Sequence, residues 1–295
     1  MPSFKPLLAE KADLAKIKYP VLASPKLDGI RAVTGFGDIV SRNLKPIPNR
    51  FIREGARAFP NYLDGEILTY SDGKVDDFNT VQSKVMSADG EPDFKFHVFD
   101  YFGDVEKPFE KRFEIVRQMV IDSGSLDMSP VAHGVIGNEA ELLILETNCL
   151  AAGYEGVMIR DPQGRYKYGR STVNEGILLK VKRFEDDEAV IVGTVERMHN
   201  GNEAETDALG YTKRSTAKAG LTPMGTLGAI QCEWRGKDGK GVRFEIGTGF
   251  DDATRARLWS QRDSLIGREV NFKYQGVGSQ GAPRFPVYRG LRGDK

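Results

Sequence analysis

Cysteine and histidine are scarce. The 295 residues hold two cysteines, Cys149 and Cys232, and three histidines, His97, His133 and His199. The cysteines lie far apart without a partner motif, which argues against a disulfide framework or a four-cysteine zinc centre. The histidines form no metal-ligand spacing. No apolar run approaches the ~18 residues of a membrane-spanning helix. The amino terminus, Met-Pro-Ser-Phe-Lys-Pro-Leu-Leu-Ala-Glu, has no apolar stretch of signal-peptide length. The expectation is a cytoplasmic chain with no signal peptide and no membrane partner. Net charge is missing as well, since 42 basic and 42 acidic residues cancel. A polyanionic partner has to be sought in local asymmetry instead. One such asymmetry runs from Asp161 to Arg183, where Arg165, Lys167, Arg170, Lys180, Lys182 and Arg183 face only Asp161 and Glu175; a solvated surface is the other reading of such a cluster.

With 40% hydrophobic and 28% charged residues, the composition is that of a globular chain, long enough for two domains. Val21-Leu22-Ala23 leads as a short apolar run to Lys26, and Ile30 to Thr34, a Gly-Phe-Gly-Asp turn and Ile39-Val40 read as strand, turn, strand. Leu63 to Leu68 and Phe94 to Tyr101 are further strands, while Lys111 to Ile121 and Glu139 to Ala152 have helical spacing. The fold class is α+β. After Phe184 the pattern changes to short strands punctuated by glycine, with one helix candidate over Asp251 to Leu265. The expected domains are therefore 1–184, mixed α+β, and 185–295, a small β-barrel for which the OB-fold is a natural candidate. The stretch Met198 to Met224 is polar, aperiodic and longer than a passive loop. Lys213, Arg214 and Lys218 suit it to nucleic acid, and a disordered excursion is the alternative.

The densest chemistry lies in Lys26-Leu27-Asp28-Gly29-Ile30-Arg31. A lysine amine that attacks the α-phosphate of a nucleoside triphosphate forms a phosphoramidate and expels pyrophosphate, dividing one hard displacement into two easier ones. Gly29 permits close backbone approach, and the planar fork of Arg31 suits phosphate or ribose oxygens. Lys-x-Asp-Gly also arises in solvated hairpin turns. Arg42 in Ser-Arg-Asn can take a phosphate bidentately. Glu66 and Glu155 each sit beside a glycine and an apolar strand, suiting ribose hydroxyls or magnesium. His97, Phe99 and Tyr101 share a strand face on which an aromatic can stack on a base. Lys180 and Lys182 alternate with Leu179 and Val181, so both point away from the buried face. There they would neutralise phosphate charge and depress the pKa of a nearby Lys26; an exposed edge strand guarded by lysines has the same pattern. Gly164 to Ser171 comes close to a Gly-x4-Gly-Lys-Ser/Thr phosphate loop, but Arg160-Asp161-Pro162 and Asn174-Glu175-Gly176 flank it in place of a strand and a helix. Cations from Arg284 to Lys295 suit a pyrophosphate leaving group, or a frayed tail.

The ordered set is specific where each member is weak: Lys-Leu-Asp-Gly-Ile-Arg at Lys26, Ser-Arg-Asn at Ser41, Asp-Gly-Glu at Asp64, Val-Phe-Asp-Tyr at Val98, Glu-Gly-Val-Met-Ile-Arg at Glu155, Gly-Arg-Ser-Thr at Gly169, Leu-Leu-Lys-Val-Lys at Leu178, Leu-Gly-Tyr-Thr-Lys-Arg-Ser-Thr at Leu209, Ile-Gly-Thr-Gly-Phe-Asp at Ile246 and Arg-Phe-Pro-Val at Arg284. Over essentially its whole length the chain resembles the covalent nucleotidyltransferases, and within them the minimal ATP-dependent DNA ligases of viruses and phages. The resemblance implies a nucleotidyltransferase domain followed by an OB domain, with a DNA-clasping latch within 198–224. It implies ATP with magnesium, for which manganese can substitute, and nicked duplex DNA bound by a monomer that closes around it, in host cytoplasm if viral. Catalysis would fall to Lys26, Asp28, Lys180 and Lys182, and metal binding to Glu155 and Asp28. Ser24, Lys26, Arg31, Arg42, Glu66, Phe99, Lys180, Lys182, Arg284, Asp294 and Lys295 would bind nucleotide. Arg42, Lys167, Arg170, Lys213 and Arg214 would bind DNA. Ser24 stands where many cellular members carry a glutamate that reads the adenine amino group, which leaves base selectivity open. On this reading, deletion of 198–224 weakens nick binding and spares adenylation. An mRNA capping guanylyltransferase or RNA ligase shares the lysine and most of the motifs, and a non-catalytic nick-binding module shares the fold.

Overall fold

A computed structural model describes residues 4–182, 184–236, 239, 241–278 and 280–293. The chain divides into two compact units, Met1–Lys182 with Thr206–Thr212, and Arg183–Glu205 with Lys213–Lys295.

The first unit is built on two sheets. One has the strand order Gly134–Ile136, Val21–Pro25, Val157–Arg160, Leu178–Val181, Glu10–Lys11. Its alternation explains its two faces: Val21, Ala23, Val157, Ile159, Leu179 and Val181 are buried together with Leu142 and Cys149 of the helix Glu139–Ala151. The residues between them point the other way. In register, Ser24 pairs with Met158 and Met158 with Lys180, so these three form a row across the opposite face. The second sheet runs Val40–Ser41, Ile30–Val33, Leu63–Ser71, Asp93–Tyr101, Met128–Pro130, with Lys74–Val75 paired to the end of Leu63–Ser71. Ile30, Leu63, Ile67, Phe94, Phe96 and Val98 bury one face against Phe109, Phe113, Val116 and Val120 of the helix Phe109–Ser123.

The helices expected over 111–121 and 139–152 are present. A further helix, Phe78–Met86, was not anticipated. Asp77 caps it by accepting from the Asn79 and Thr80 N–H groups, and Val81 and Val85, four apart, are its buried stripe. Leu7–Leu8 pairs in parallel with Gly169–Arg170, so the glycine-bracketed segment at 164–171 contributes a strand and is not the turn before a helix.

The second unit is a five-stranded antiparallel sheet, Gly241–Ile246, Leu221–Arg235, Glu185–Asn200, Glu269–Tyr274, Val287–Leu291. Ile191, Leu227, Ile230, Trp234, Phe272 and Tyr274 form its core with Leu258 and Leu265. Two expectations are corrected here. The helix over 251–265 is two helices, Asp252–Ser260 and Arg262–Leu265, because Gln261 leaves helical geometry between them. The aperiodic stretch 198–224 is about half strand: the pairing of Glu185–Asn200 with Leu221–Arg235 continues to His199 with Thr222 and Asn200 with Leu221, and Ala204–Thr206 and Thr212–Arg214 form a small ladder beyond it. Strands exposed on both faces need no apolar alternation, which is why the pattern was silent. No helix among the described residues is long and apolar enough to cross a membrane.

Candidate active site

Lys26 follows directly on the strand Val21–Pro25, and the backbone carries the pairing one step further. The Lys26 N–H donates to the Gly156 carbonyl at 2.9 Å, and the Glu155 N–H to the Lys26 carbonyl at 3.3 Å. The register of Pro25 with Val157 thus runs on to Lys26 against Gly156, with Glu155 beside it. The Lys26 Nζ donates to Glu155 Oε2 and the Lys182 Nζ to Oε1. Burial pushes the Glu155 carboxyl up, but Lys26 and Lys182 outweigh it and hold the group below the usual carboxylate range. One carboxylate therefore holds two amines beside a cavity of about 400 Å³ whose wall includes Lys26.

Ser24, Arg31, Arg42, Glu66, Phe99, Arg170 and Lys180 line the same cavity. They come from both sheets and from segments up to 156 residues apart, so the fold gathers most of the expected nucleotide set in one place. Glu66 accepts from the Gly29 N–H at 3.2 Å. Burial raises its pKa to about 7, against the opposing pull of Lys26 and Arg31. The Lys180 amine is lowered, first by burial and then by the charges of Lys26 and Arg170.

Arg31 differs from the expectation of a free fork. Its Nε donates to Asp64 Oδ1 at 2.9 Å and a terminal nitrogen to Oδ2 at 2.6 Å, and its guanidinium stands 5.2 Å from the Phe99 ring. Asp64 also accepts from the Tyr166 hydroxyl at 2.6 Å, and that hydroxyl accepts from the Leu7 N–H at 3.2 Å. Asp64 overcomes the effect of burial and raises the Arg31 pKa. Asp64 and Tyr166 were not among the expected site residues: Asp64 had a signal in the Asp-Gly-Glu motif, whereas Tyr166 is 102 residues from its partner and carries no local one. Phe78, Gln82, Met158 and Arg160 also line the cavity. Arg160 donates to Asp100 at 2.6 Å.

Gly29 has a packing reason beyond ligand approach. A Cβ there would lie 2.3 Å from the Ile67 carbonyl oxygen on the neighbouring strand.

Other expected residues stand apart from the cavity or are held by partners of their own. Asp28 is half-buried and does not line the cavity, although Leu27 and Gly29 do. Lys182 lies one residue beyond the strand Leu178–Val181 and reaches the site through Glu155. Lys167 is paired with Glu175 at 2.8 Å, and Arg170 donates to the Ala9 carbonyl at 2.7 Å. Lys213, Arg214 and Arg284 belong to the second unit, where Arg214 donates to the Asn202 carbonyl. Asp294 and Lys295 lie outside the described residues.

The profile of the ATP-dependent DNA ligase domain matches residues 6–182. The chain belongs to the ATP-dependent DNA ligases. A DNA ligase OB-like domain matches 222–292 of this ligase, identifying the second unit's sheet as an OB-fold. Among solved structures, Chlorella virus DNA ligase-adenylate is 35% identical, covering 98% of this chain and 99% of that one with a TM-score of 0.55. A Lig E DNA ligase shares the fold at a TM-score of 0.70 and 23% identity, over 97% of this chain and 98% of that one. A DNA ligase of Haemophilus influenzae is 23% identical over 90% of this chain and 84% of its own length. A DNA ligase of African swine fever virus matches at 29% over 44% of this chain and 31% of its own length.

Proposed function

We propose that this ligase seals 5′-phosphate/3′-hydroxyl nicks in duplex DNA, with Lys26 as the nucleophile and the cavity around it as the ATP site. The observation that carries this is the Glu155 carboxylate shared by the Lys26 and Lys182 amines at the wall that also holds Glu66, Phe99 and Lys180.

In the first step the Lys26 nitrogen attacks the α-phosphorus of ATP, the bond to the bridging oxygen breaks, and pyrophosphate leaves. The amine must lose a proton to attack, and Glu155 Oε2 is the acceptor within reach. In the second step an oxygen of the nick 5′-phosphate attacks the same phosphorus, and Lys26 leaves and regains a proton. In the third step the 3′-hydroxyl attacks the 5′-phosphate phosphorus, and AMP leaves as the strand closes. Lys180 and Lys182 stabilise charge on the α-phosphate oxygens through all three. Glu66 accepts from ribose hydroxyls, Phe99 stacks on adenine, and Ser24 sits on the face that meets the base. Arg42 and Arg170 take the nick phosphate, and Lys167, Lys213 and Arg214 take the flanking backbone.

The donor set fits a divalent cation of the magnesium kind. No group of three or more His, Cys, Asp or Glu able to hold a metal occurs among the described residues, so a cage made only of protein is not offered. One or two carboxylates beside substrate phosphates commonly hold such an ion. Glu155 and Asp28 would hold it together with ATP oxygens. When bound it neutralises phosphate charge.

We further infer that the ligase acts as a monomer that clasps DNA, in the cytoplasm. Sealing of a nicked DNA duplex with ATP, set against GTP and against single-stranded RNA ends, tests the reading. It predicts ATP-dependent closure of the DNA nick. Preference for GTP or for RNA ends would contradict it.

A further inference from the structure

Five aromatic rings of the first unit gather away from the cavity wall. Phe4 and Phe102 are the centre of the group, with ring centroids 4.4 Å apart. Phe36 stands 5.2 Å and Tyr168 5.3 Å from Phe4, and Tyr62 stands 5.6 Å from Phe102. Phe102 is buried, whereas Phe36, Tyr62 and Tyr168 are 43%, 47% and 37% exposed. An isolated exposed ring needs no explanation, but contiguous ones mark a contact surface.

The backbone imposes this surface. Tyr62 has φ +66, a left-handed conformation that is an outlier for a bulky side chain. Its N–H donates to the Thr34 carbonyl at 3.2 Å and its carbonyl accepts from the Phe102 N–H at 2.9 Å, which holds the ring out beside Phe102. Gly35, at φ +105, makes room for it: a Cβ there would lie 2.9 Å from the Tyr62 nitrogen and 3.1 Å from its ring. Strain of this kind gathers at binding sites. Two lysines adjoin the rings. Lys5 is exposed and follows Phe4, and Lys167 precedes Tyr168. The two segments run side by side, with the Gly169 N–H donating to the Lys5 carbonyl at 3.4 Å and Leu7 paired with Gly169. Exposed rings interleaved with cations suit single-stranded nucleic acid, whose bases stack while its phosphates follow the charge. The patch is also continuous with Lys167 and Arg170, which bracket Tyr168 and Gly169 in the chain.

We propose that Phe36, Tyr62 and Tyr168 form a subsite for unpaired bases, which takes a single-stranded extension of the DNA whose duplex Lys167 and Arg170 hold. The proposal rests on the DNA reading of those two cations. Bases stack on the exposed rings over the floor made by Phe4 and Phe102, and Lys5 and Lys167 meet the phosphates between them. Stacking tolerates any sequence, because every base has a π-face. The ligase then favours a nick that lies next to single-stranded DNA over the same nick in a fully paired duplex.

The test is fluorescence anisotropy of a labelled nicked duplex, either blunt or carrying an oligothymidylate extension at one end or the other, for wild type, Phe36→Ser and Tyr62→Asn. Asparagine accepts the left-handed backbone, so Tyr62→Asn removes the ring and keeps the turn. Wild type should bind one of the extended duplexes roughly fivefold or more tighter than the blunt one, the contribution of a single stacked base. Each substitution should remove most of that gain while leaving blunt-nick affinity and covalent labelling from ATP within about twofold of wild type. A gain that both variants keep would overturn the subsite. No gain from either extension in wild type would also overturn it, and would leave the rings to a peptide partner. Should Tyr62→Asn fail to fold, Phe36→Ser, in the turn between the strands Ile30–Val33 and Val40–Ser41, decides by the same gain. Blunt-nick affinity unchanged in Lys167→Ala and in Arg170→Ala would instead sink the reading of those cations and the subsite with it, a result that the ring variants cannot produce.

Discussion

Two carboxylates of the site sit in opposite electrostatic states. Glu155 faces two amines and stays ionised, whereas Glu66 is desolvated enough that its pKa rises to about 7. A ribose hydroxyl donates best to an ionised acceptor. Since Glu66 is protonated below about 7, affinity for an ATP analogue that cannot be cleaved between α and β should rise as pH increases through that value. Titration calorimetry at pH 6 and pH 8 should show this in wild type and not in Glu66→Gln; an equal pH response in both would remove Glu66 from the ribose. Tyr166 belongs to the same scale. Its buried hydroxyl donates to the Asp64 carboxylate that holds Arg31, so Tyr166→Phe should cost about 1.5–3 kcal/mol, seen as a lower urea midpoint for the first unit's own transition. An unchanged midpoint would mean that Asp64 finds another donor. Lys26, Glu66, Phe99 and Lys180 are legible in the sequence because their own motifs bracket them. The Arg31–Asp64 clamp is not legible there, because residues 33 apart meet only when two strands pair.

Elements follow the same division. The helices Phe109–Ser123 and Glu139–Ala151 were readable from apolar spacing, and the strand Val157–Arg160 gives Lys26 its place by backbone pairing alone. The exposed ladder beyond Asn200 was not readable, since pairing there rests on backbone hydrogen bonds with little apolar burial to enforce a pattern. Gly29 connects motif to element: its strand neighbour leaves no room for a Cβ. Gly29→Ala should therefore destabilise by about 1–3 kcal/mol through overpacking and lower ATP affinity along with stability. Thermal unfolding measured beside ATP binding checks it, and a variant of wild-type stability would show that the two strands part easily.

At the scale of the molecule, two units with separate cores make a single two-state transition an unsafe assumption. All the cavity-lining residues belong to the first unit. A non-cleavable ATP analogue at a hundred times its Kd should stabilise that unit by about 2.7 kcal/mol and leave the OB-fold's own transition in place. Calorimetry that showed the OB-fold stabilised to the same extent would mean that it shares the nucleotide site.

The proposed chemistry turns on Lys26. Purified ligase incubated with α-labelled ATP and magnesium, then denatured and separated by electrophoresis, should retain label on the wild-type chain and none on Lys26→Ala. Label that survives denaturation on Lys26→Ala, or no label on a wild type shown by mass to be free of AMP, would contradict the assignment of Lys26 as the nucleophile.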